Sequence, residues 1–389
     1  MDIALVNGRV MTDLGLEDGL AVRIGSGRIL AIGPAAEIAA GAERRDLGGA
    51  LLLPGFIDTQ VNGGGGLLFN DQPTAATIAG IGAAHRRFGA TGFLPTVISD
   101  DLDSVATAIA AARQAITRGD CGALGLHIEG PFLNAKRKGI HDASKFRRID
   151  EAAFTLLTSL GVGRTLVTLA PEMTTPAMIQ RLVQAGVIVS AGHTNATYAV
   201  VRAALEHGLT GFTHLFNAMS PLTSREPGVV GAALDDTSAW CGIIVDGHHV
   251  DPVVLKIALR SRPLDRFMLA TDAMPCVGAA QKSFTLQGRQ ITVRNGVCVD
   301  EHGVLAGSDL DMASAVRNAV QLLGLDLRQA SRMASRNPAE FLGLGAELGR
   351  IAPGYRADLV LLDEGLEVLE TWVGGRDSAQ SALAEPARG

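Results

Sequence analysis

The sequence predicts an α/β protein, a (β/α)₈ barrel of the TIM type with a small β-sandwich domain formed by both termini. Eight short apolar runs alternate with helix-forming stretches through the middle of the chain, and both ends are rich in short strand signals. The length of 389 residues accommodates a barrel of about 250 residues and a smaller domain. Together these three observations indicate the fold class.

The two ends of the chain have the pattern of one small β domain. The N-terminal segments IALVNGRVM and AVRIGSGRILAIG are typical of hairpins, and the C-terminal segments GRIAPGYRADLVLLD and EVLETWVGG are short and β-rich. Because similar ends flank a different middle, we expect residues 1–50 and 342–389 to form this domain. Residues 51–341 then form the barrel.

The middle of the chain supplies eight barrel strands. Helical patterns such as Thr74–Phe88, Asp101–Arg118 and Tyr198–His207 separate the apolar runs. An open, doubly wound sheet is the alternative, but no G-x-G-x-x-G follows the first strand. An Asn295-Gly296 turn predicts a β-hairpin inserted near 282–299. The runs are LLLPGFIDTQVNG, TGFLPTV, CGALGLHIEGP, TLVTLAPE, GVIVSAGHT, GFTHLFNAM, WCGIIVDGHH and RFMLATDAM.

Composition argues against several kinds of partner. A formal net charge of −6 disfavours a nucleic-acid or anionic-membrane surface, and 4% aromatic residues disfavour a base-stacking platform. No apolar run is long enough to span a membrane. The N-terminal segment lacks a leader pattern, and the cysteines lack a zinc or disulfide spacing, so we expect a cytoplasmic protein with reduced thiols. These cysteines are Cys121, Cys241, Cys276 and Cys298.

Unusual polar residues stand at the C-terminal ends of six of the eight runs. In a barrel these ends converge on one face, where the active site forms. Residues more than a hundred positions apart are therefore expected to meet in one pocket. They are Asp58, Gln60, Asn62, His127, Glu129, His193, His214, Asn217, Asp246, His248, His249 and Asp272.

Four of these residues have the chemistry of a catalytic metal site. Glu129, His193 and His214 offer one carboxylate and two imidazoles, which Zn²⁺, Fe²⁺, Co²⁺ and Mn²⁺ all accept. Asp272 can take a proton from a metal-activated water and return it to a leaving amine. Each residue alone has a structural explanation, such as a helix cap or a core histidine. The four together at strand ends predict a functional pocket.

Other candidates are less distinctive. His127 lies two residues before Glu129 and faces the same side of the strand, so we expect it behind the metal ligands. The loop NAKRKGIHDASK, which contains His141, has the composition of a solvated charged segment. Arg225 and His249 are candidates for binding an anionic substrate group, since a guanidinium presents paired donors to phosphate or carboxylate.

Nine motifs occur in order along nearly the whole chain: PGFIDTQVNG, HIEGPFLN, KGIHD, AGHTNATY, THLFNAMSP, REPG, VDGHHVD, TDAM and LAGSDL. They resemble the N-acetylglucosamine-6-phosphate deacetylases of the amidohydrolase superfamily, and HIEGPFLN with THLFNAM is particular to that family. The resemblance implies metal-dependent hydrolysis of the acetamide of an amino-sugar phosphate. The implied products are glucosamine 6-phosphate and acetate.

The resemblance also implies a role for each matching residue. Glu129, His193 and His214 are the implied ligands of one divalent metal. Asp272 is the implied acid and base, and His141 the implied group that polarises the acetamide carbonyl, which reverses the expectation for its loop. Arg225 is implied to reach the substrate from the neighbouring subunit of a homodimer or a dimer of dimers. The implied substrate contacts are Ile140, Asn217, Ala218, Arg225, Asp246, His249, Leu305, Ala306 and Gly307.

One departure from the superfamily pattern concerns the number of metals. Many amidohydrolases carry H-x-H at the end of the first strand, and this chain has Gln60 and Asn62 there. Neutral amides are poor substitutes for imidazole, so we expect one metal, with zinc favoured over iron, cobalt and manganese.

Three other functions stay open. The substrate is alternatively the galacto epimer of the sugar phosphate, or an N-acyl-D-amino acid as in a D-aminoacylase-like amidohydrolase. A barrel that only senses amino-sugar phosphates is a third alternative, and the presence of ligands and acid/base together speaks against it.

Overall fold

The computed structural model describes residues 2–377, which divide into two compact units. One unit comprises residues 2–57, 85–92 and 312–377, and the other comprises residues 58–84 and 93–311. The division follows packing alone. The domain boundaries expected from the sequence, 1–50 with 342–389 and 51–341, stay a prediction, and residues 378–389 lie outside the described part of the chain.

The strands follow one another along the chain in this order: β1 (Ile3–Val6), β2 (Arg9–Met11), β3 (Leu16–Glu17), β4 (Leu20–Gly25), β5 (Arg28–Pro34), β6 (Glu43–Asp46), β7 (Leu51–Pro54), β8 (Phe56–Val61), β9 (Gly63–Gly64), β10 (Leu67–Leu68), β11 (Ala90–Ile98), β12 (Gly125–Glu129), β13 (Arg164–Leu169), β14 (Ile188–Ala191), β15 (Gly211–Phe212), β16 (Trp240–Ile243), β17 (Phe267–Leu269), β18 (Ser283–Leu286), β19 (Arg289–Arg294), β20 (Val297–Val299), β21 (Leu305–Ser308), β22 (Leu359–Leu362) and β23 (Val368–Trp372).

The α-helices are α1 (Ala35–Ile38), α2 (Ala75–Arg86), α3 (Leu102–Arg118), α4 (Glu151–Leu157), α5 (Pro176–Gln184), α6 (Tyr198–Glu206), α7 (Gly228–Asp235), α8 (Pro252–Ser261), α9 (Met312–Gln321), α10 (Leu327–Ala334) and α11 (Arg336–Phe341). The three helices predicted from periodicity correspond to α2, α3 and α6. Helix α6 is capped by Thr197, whose side chain accepts a hydrogen bond from the backbone N–H of Val200. No helix within residues 2–377 has the length and hydrophobicity of a membrane span.

Two sheets built from both ends of the chain share one core in the first unit. One sheet has the order β5-β4-β1-β6 and the other the order β23-β22-β7-β2-β3. Leu5 and Ile29 of the first sheet and Leu52, Leu359 and Trp372 of the second belong to one buried cluster. Apolar side chains from two sheets that meet in one core make a β-sandwich.

The barrel is a sheet of eight parallel strands in the order β17-β16-β15-β14-β13-β12-β11-β8. A parallel bridge between Val61, at the end of β8, and Ala273, after β17, connects the two edges. Every residue of β8, β11 and β12 is buried, as expected for strands covered on both faces. The predicted fold class, a (β/α)₈ barrel with a small sheet domain from the termini, is confirmed.

The predicted hairpin near 282–299 lies within an antiparallel four-stranded sheet, β18-β19-β20-β21. Asn295 and Gly296 form the turn between β19 and β20, with φ angles of 52° and 81°. Both angles are positive, which is the conformation of a type I′ hairpin turn. We call this four-stranded sheet the inserted sheet.

Candidate active site

The four residues predicted for metal chemistry stand where barrel strands end. Glu129 is the last residue of β12, His193 follows β14 and His214 follows β15, each by two residues. Asp272 follows β17 by three residues. Because parallel barrel strands end on the same face, side chains far apart in sequence meet at one place.

Three of these side chains converge within hydrogen-bond distance. Oε1 of Glu129 lies 3.0 Å from Nε2 of His214 and 3.2 Å from Nε2 of His193, and the two Nε2 atoms are 3.1 Å apart. Four tetrahedral ligands at about 2.0 Å from a zinc ion are separated by about 3.3 Å. The trio therefore has the spacing of a metal-ligand triangle.

A hydrogen bond orients the His193 imidazole for this purpose. Nδ1 of His193 lies 2.9 Å from the backbone carbonyl oxygen of Arg137, so this nitrogen carries the proton and donates it. The Nε2 lone pair of His193 then points at Glu129 and His214. A ring N–H donated to a backbone carbonyl is the usual support of a metal-binding histidine. Nδ1 of His214 is buried without a protein hydrogen-bond partner.

Backbone strain is concentrated at the same positions. His193, His214 and Asp272 have φ angles of 47°, 36° and 53°. Residues other than glycine rarely adopt such positive values. Such a conformation costs of order 1 kcal/mol or more for each residue. Strain at three residues of one cluster is typical of a functional site.

The charge of Glu129 is stabilised by its neighbours. Burial alone would raise the pKa of this carboxyl, but the adjoining imidazoles of His193 and His214 hold its pKa well below the usual range. Burial opposes protonation of His214, and the hydrogen bond with Glu129 nevertheless raises the pKa of His214. The trio therefore keeps one ionised carboxylate between two imidazoles.

Asp272 receives its hydrogen bonds from the two amides that replace the H-x-H motif. Its Oδ1 accepts from Nδ2 of Asn62 at 2.6 Å and from Nε2 of Gln60 at 3.1 Å. The same Gln60 nitrogen lies 3.1 Å from both carboxylate oxygens of Glu129. The Gln60 amide therefore stands between the two carboxylates. Oδ1 of Asn62 is buried and has no protein partner.

Burial and the nearby charge of Glu129 raise the pKa of Asp272 to about 6. A carboxyl group with such a pKa is ionised at neutral pH and still exchanges a proton readily. This is the property required of a group that acts first as a base and then as an acid.

His141 lies against the trio and is 2% exposed. Its Nε2 is 3.9 Å from Oε2 of Glu129, and its ring centroid is 4.3 Å from that of His193. Composition alone predicted a solvated loop, and for His141 this prediction is wrong. The chain folds back and buries Ile140 and His141, while Lys136 stays exposed. Burial and the neighbouring His193 lower the pKa of His141 to about 3.

A carboxylate that the sequence reasoning missed holds this loop. Glu172 follows β13, and its Oε1 accepts from Nδ2 of Asn134 at 2.8 Å and from the backbone N–H of Asn195 at 2.7 Å. Its Oε2 accepts from Thr194 Oγ1 at 2.6 Å. Glu172 thus connects the start of the loop to the segment after His193. Its position at the end of the fourth predicted run, TLVTLAPE, was the available signal.

Asp58 is a second buried carboxyl near Asp272. It accepts a hydrogen bond from Thr271 Oγ1 at 2.5 Å and from the backbone N–H of Gln60 at 3.2 Å. Burial raises the pKa of Asp58 to about 7. Asp58 therefore connects β8 to Thr271, the residue that precedes Asp272.

His127 is buried under the site rather than within it. Its Nε2 lies 2.7 Å from Thr168 Oγ1, which lies 2.7 Å from Thr213 Oγ1. Burial lowers the pKa of His127 to about 4. These bonds link β12 and β13 to Thr213, the residue that precedes His214.

The residues expected to contact substrate occupy several loops. Nδ1 of His249 lies 2.6 Å from Oδ2 of Asp246. Burial would raise the pKa of Asp246, but the hydrogen bond with His249 outweighs burial, and the pKa is lowered. Asn217 donates from its backbone N–H to the carbonyl oxygen of His214 at 2.9 Å. The carbonyl oxygen of Ala218 accepts from the backbone N–H of Thr194 at 3.0 Å.

Leu305, Ala306 and Gly307 belong to β21, beside Asp272. The φ angle of Gly307 is 63°, and a Cβ atom there would lie 2.7 Å from the carbonyl oxygen of Asp272. Only glycine fits this close approach. Ala306 belongs to the same buried apolar cluster as Ile140.

Arg225 is a predicted site residue that the structure does not bring to this cluster, and His248 is likewise exposed. Arg225 lies in the exposed loop 221–226. Within residues 2–377, no hydrogen bond or ion pair joins it to Glu129, Asp272 or His249.

Residues 51–379 match the sequence pattern of the Amidohydrolase family. The chain belongs to the amidohydrolase family. Within it, the expected resemblance is confirmed by relatives of nearly full coverage. An N-acetylgalactosamine-6-phosphate deacetylase of Shewanella sp. (strain ANA-3) is 45% identical, covering 94% of this chain and 93% of the relative. An N-acetylglucosamine-6-phosphate deacetylase of Haemophilus influenzae is 37% identical, covering 97% of this chain and 99% of the relative.

Solved structures of this amidohydrolase group agree. The crystal structure of an N-acetylglucosamine-6-phosphate deacetylase from Pasteurella multocida matches with a TM-score of 0.94 at 37% identity, covering 97% of this chain and 100% of that one. A mutant of the Mycobacterium smegmatis enzyme in complex with N-acetyl-D-glucosamine-6-phosphate matches with a TM-score of 0.89 at 34% identity, covering 97% and 98%.

Proposed function

We propose that this amidohydrolase hydrolyses the acetamide of N-acetyl-D-glucosamine 6-phosphate to D-glucosamine 6-phosphate and acetate, in amino-sugar catabolism. The observation that carries the proposal is the convergence of Glu129, His193 and His214 beside Asp272 in one buried cluster. The names of the relatives with nearly full coverage support the substrate.

One divalent ion is held by Glu129, His193 and His214 in this proposal, with zinc favoured over iron, cobalt and manganese. The spacing of the three ligand atoms and the fixed tautomer of His193 support it. A bound divalent ion supplies Lewis-acid activation of water and of the amide carbonyl. The donors at Gln60 and Asn62 favour a single ion, because an amide N–H repels a cation.

Asp272 is the proposed catalytic base and acid. Its carboxylate accepts the proton of the attacking water and returns it to the departing amine, which is a poor leaving group until it is protonated. The two amides that bond Oδ1 leave Oδ2 for this exchange.

His141 donates a hydrogen bond to the acetamide carbonyl in this mechanism. Its closeness to Glu129 and His193 supports the assignment, since negative charge develops on the carbonyl oxygen as water attacks. Gln60, Asn62 and His127 act through these groups and hold them in place.

The remaining expected residues bind the sugar phosphate. Phosphate bound far from the reacting bond orients the acetamide and thereby contributes remote binding energy. The exposed position of Arg225 agrees with its entering the site of a neighbouring subunit in a homodimer. The contacts are Ile140, Asn217, Ala218, Arg225, Asp246, His249, Leu305, Ala306 and Gly307. The enzyme acts in the cytoplasm, where its free cysteines stay reduced.

The galacto epimer is the second candidate substrate, and the 45% identity to the Shewanella relative favours it. Only the orientation of one hydroxyl distinguishes the two sugars. The proposal keeps the gluco epimer because the nearly full-length solved structures of high similarity carry that name.

Acetate release from a substrate panel tests the proposal. The panel comprises both N-acetylhexosamine 6-phosphates, unphosphorylated N-acetylglucosamine and an N-acetyl-D-amino acid. The highest kcat/KM is expected for the gluco phosphate, with little turnover of the free sugar. Preference for the galacto phosphate would change the epimer, preference for the amino acid would make the chain a D-aminoacylase, and no turnover by metal-loaded protein would support a sensor.

A further inference from the structure

Ser99 is a buried polar residue with no part in the proposed reaction. It directly follows β11, a barrel strand for which the sequence suggested no functional residue, and it is 1% exposed. Its Oγ lies 2.8 Å from Nδ1 of His141, and its backbone nitrogen lies 3.4 Å from the same atom. Two polar groups of one residue therefore meet one nitrogen of the imidazole.

The chemistry of these groups decides where the imidazole proton lies. A backbone N–H can only donate, so Nδ1 of His141 presents its lone pair to Ser99. The Ser99 hydroxyl also lies 3.5 Å from the backbone carbonyl oxygen of Glu129, but at 2.8 Å from Nδ1 it directs its proton at that nitrogen, because two facing lone pairs repel. The neutral ring then carries its one proton on Nε2, the nitrogen that faces Glu129.

We propose that Ser99 is a positioning residue that holds His141 as the Nε2–H tautomer and directs this single donor into the ligand cluster. The inference rests on the proposed function, in which His141 donates to the acetamide carbonyl. The other tautomer would present a lone pair to that oxygen and repel it.

The inserted sheet also contacts both residues of this pair. Nε2 of Gln287, in the turn between β18 and β19, donates to the carbonyl oxygen of Ser99 at 3.0 Å. Ile98 and Ile140, the residues that precede Ser99 and His141, belong to one buried cluster with Leu286 and Ile291 of the inserted sheet. The sheet therefore fixes both partners of the Ser99–His141 hydrogen bond.

Nitrogen NMR of ¹⁵N-histidine-labelled protein tests the tautomer without any substrate. Long-range proton–nitrogen spectra distinguish a protonated from an unprotonated ring nitrogen, and the His141 signals are those absent from a His141→Gln variant. The spectra are recorded for metal-free and for Zn²⁺-loaded protein. We expect Nε2 protonated and Nδ1 unprotonated in both. A proton on Nδ1 of His141 would overturn the inference, whatever the substrate panel gives.

Kinetics test the positioning role. Loss of the hydroxyl in Ser99→Ala is expected to lower kcat about tenfold and to leave KM within about twofold, as for other partners that orient a catalytic group. Ser99→Thr, which keeps a hydroxyl, restores most of kcat. The control is Ser335→Ala, which removes an equally buried hydroxyl that bonds the carbonyl oxygen of Ser331. Unchanged kcat in Ser99→Ala, or an equal loss in the control, would contradict the role.

Discussion

Glu129 and Asp272 are two buried carboxylates of one pocket, joined by the amide of Gln60, and their pKa values move in opposite directions. The two neighbouring imidazoles outweigh burial at Glu129 and lower its pKa, whereas burial and the charge of Glu129 raise the pKa of Asp272 to about 6. The residue that stays ionised suits metal binding, and the residue near neutrality suits proton transfer. Position alone does not assign these roles, because both residues end barrel strands.

The largest expected effect is that of Asp272→Asn on turnover. Asparagine keeps the shape of the side chain and tolerates the positive φ of this position. Its amide cannot accept the proton of the attacking water. We expect kcat to fall by about three orders of magnitude while the bound metal is retained. Steady-state kinetics with metal analysis measure both. A loss of less than about tenfold would remove Asp272 from the proton transfer.

The same variant is expected to stabilise the metal-free protein. The folded pKa of about 6 exceeds the ordinary aspartate pKa of 3.8, so between these values the folded state binds more protons than the unfolded state. The stability contributed by Asp272 is therefore full below pH 3.8 and is lost as pH rises through 6. Denaturant unfolding should show Asp272→Asn to be more stable at pH 8 by about 3 kcal/mol at most, with the difference vanishing near pH 4. A variant less stable than wild type at pH 8 would contradict the burial penalty.

Replacement of Gln60 by leucine tests the amide between the carboxylates. Without its N–H groups, Glu129 and Asp272 face each other directly and the pKa of Asp272 rises further. We expect kcat to fall about 10- to 100-fold and the acidic limb of the pH–rate profile to move to higher pH. Gln281→Leu, at an exposed position of the same unit, is the control. An unmoved acidic limb would show that Gln60 does not tune Asp272.

Arg225→Ala has the smallest expected effect, because Arg225 contacts none of the reacting groups. We expect KM for the phosphorylated sugar to rise about tenfold with kcat nearly unchanged, as for lost ground-state binding. Arg118→Ala, an exposed arginine at the end of α3, serves as the control. An unchanged KM would remove Arg225 from the phosphate site.

The sequence predicted the barrel because its strands are continuous apolar runs and their polar ends are conspicuous. Glu129, His193, His214 and Asp272 were found in this way, since a charged or imidazole group directly after a buried strand is unusual. The charged loop around His141 could not be placed from composition, because long lysine and arginine side chains stay in water while the residues beside them are buried.

Ser99 and Glu172 escaped prediction for a different reason. Both follow strands that supply no metal ligand, and serine or glutamate after a strand is common in ordinary turns. Their roles depend on the loop that returns over the pocket, where Ser99 meets His141 and Glu172 meets Asn134. Such contacts arise from tertiary packing between distant segments, so the position of Glu172 after a predicted strand was the available signal but did not identify its partners.

Metal analysis of wild type and three variants measures most directly which of the two carboxylates binds the metal. Wild type, Asp272→Asn and Glu129→Gln are loaded with Zn²⁺ and dialysed, and the ions per chain are counted, with Glu206→Gln on the exposed end of α6 as the control. We expect one ion per chain in wild type, Asp272→Asn and the control, and a large loss in Glu129→Gln. Two ions per wild-type chain, or an undiminished ion in Glu129→Gln, would contradict a single centre held by Glu129.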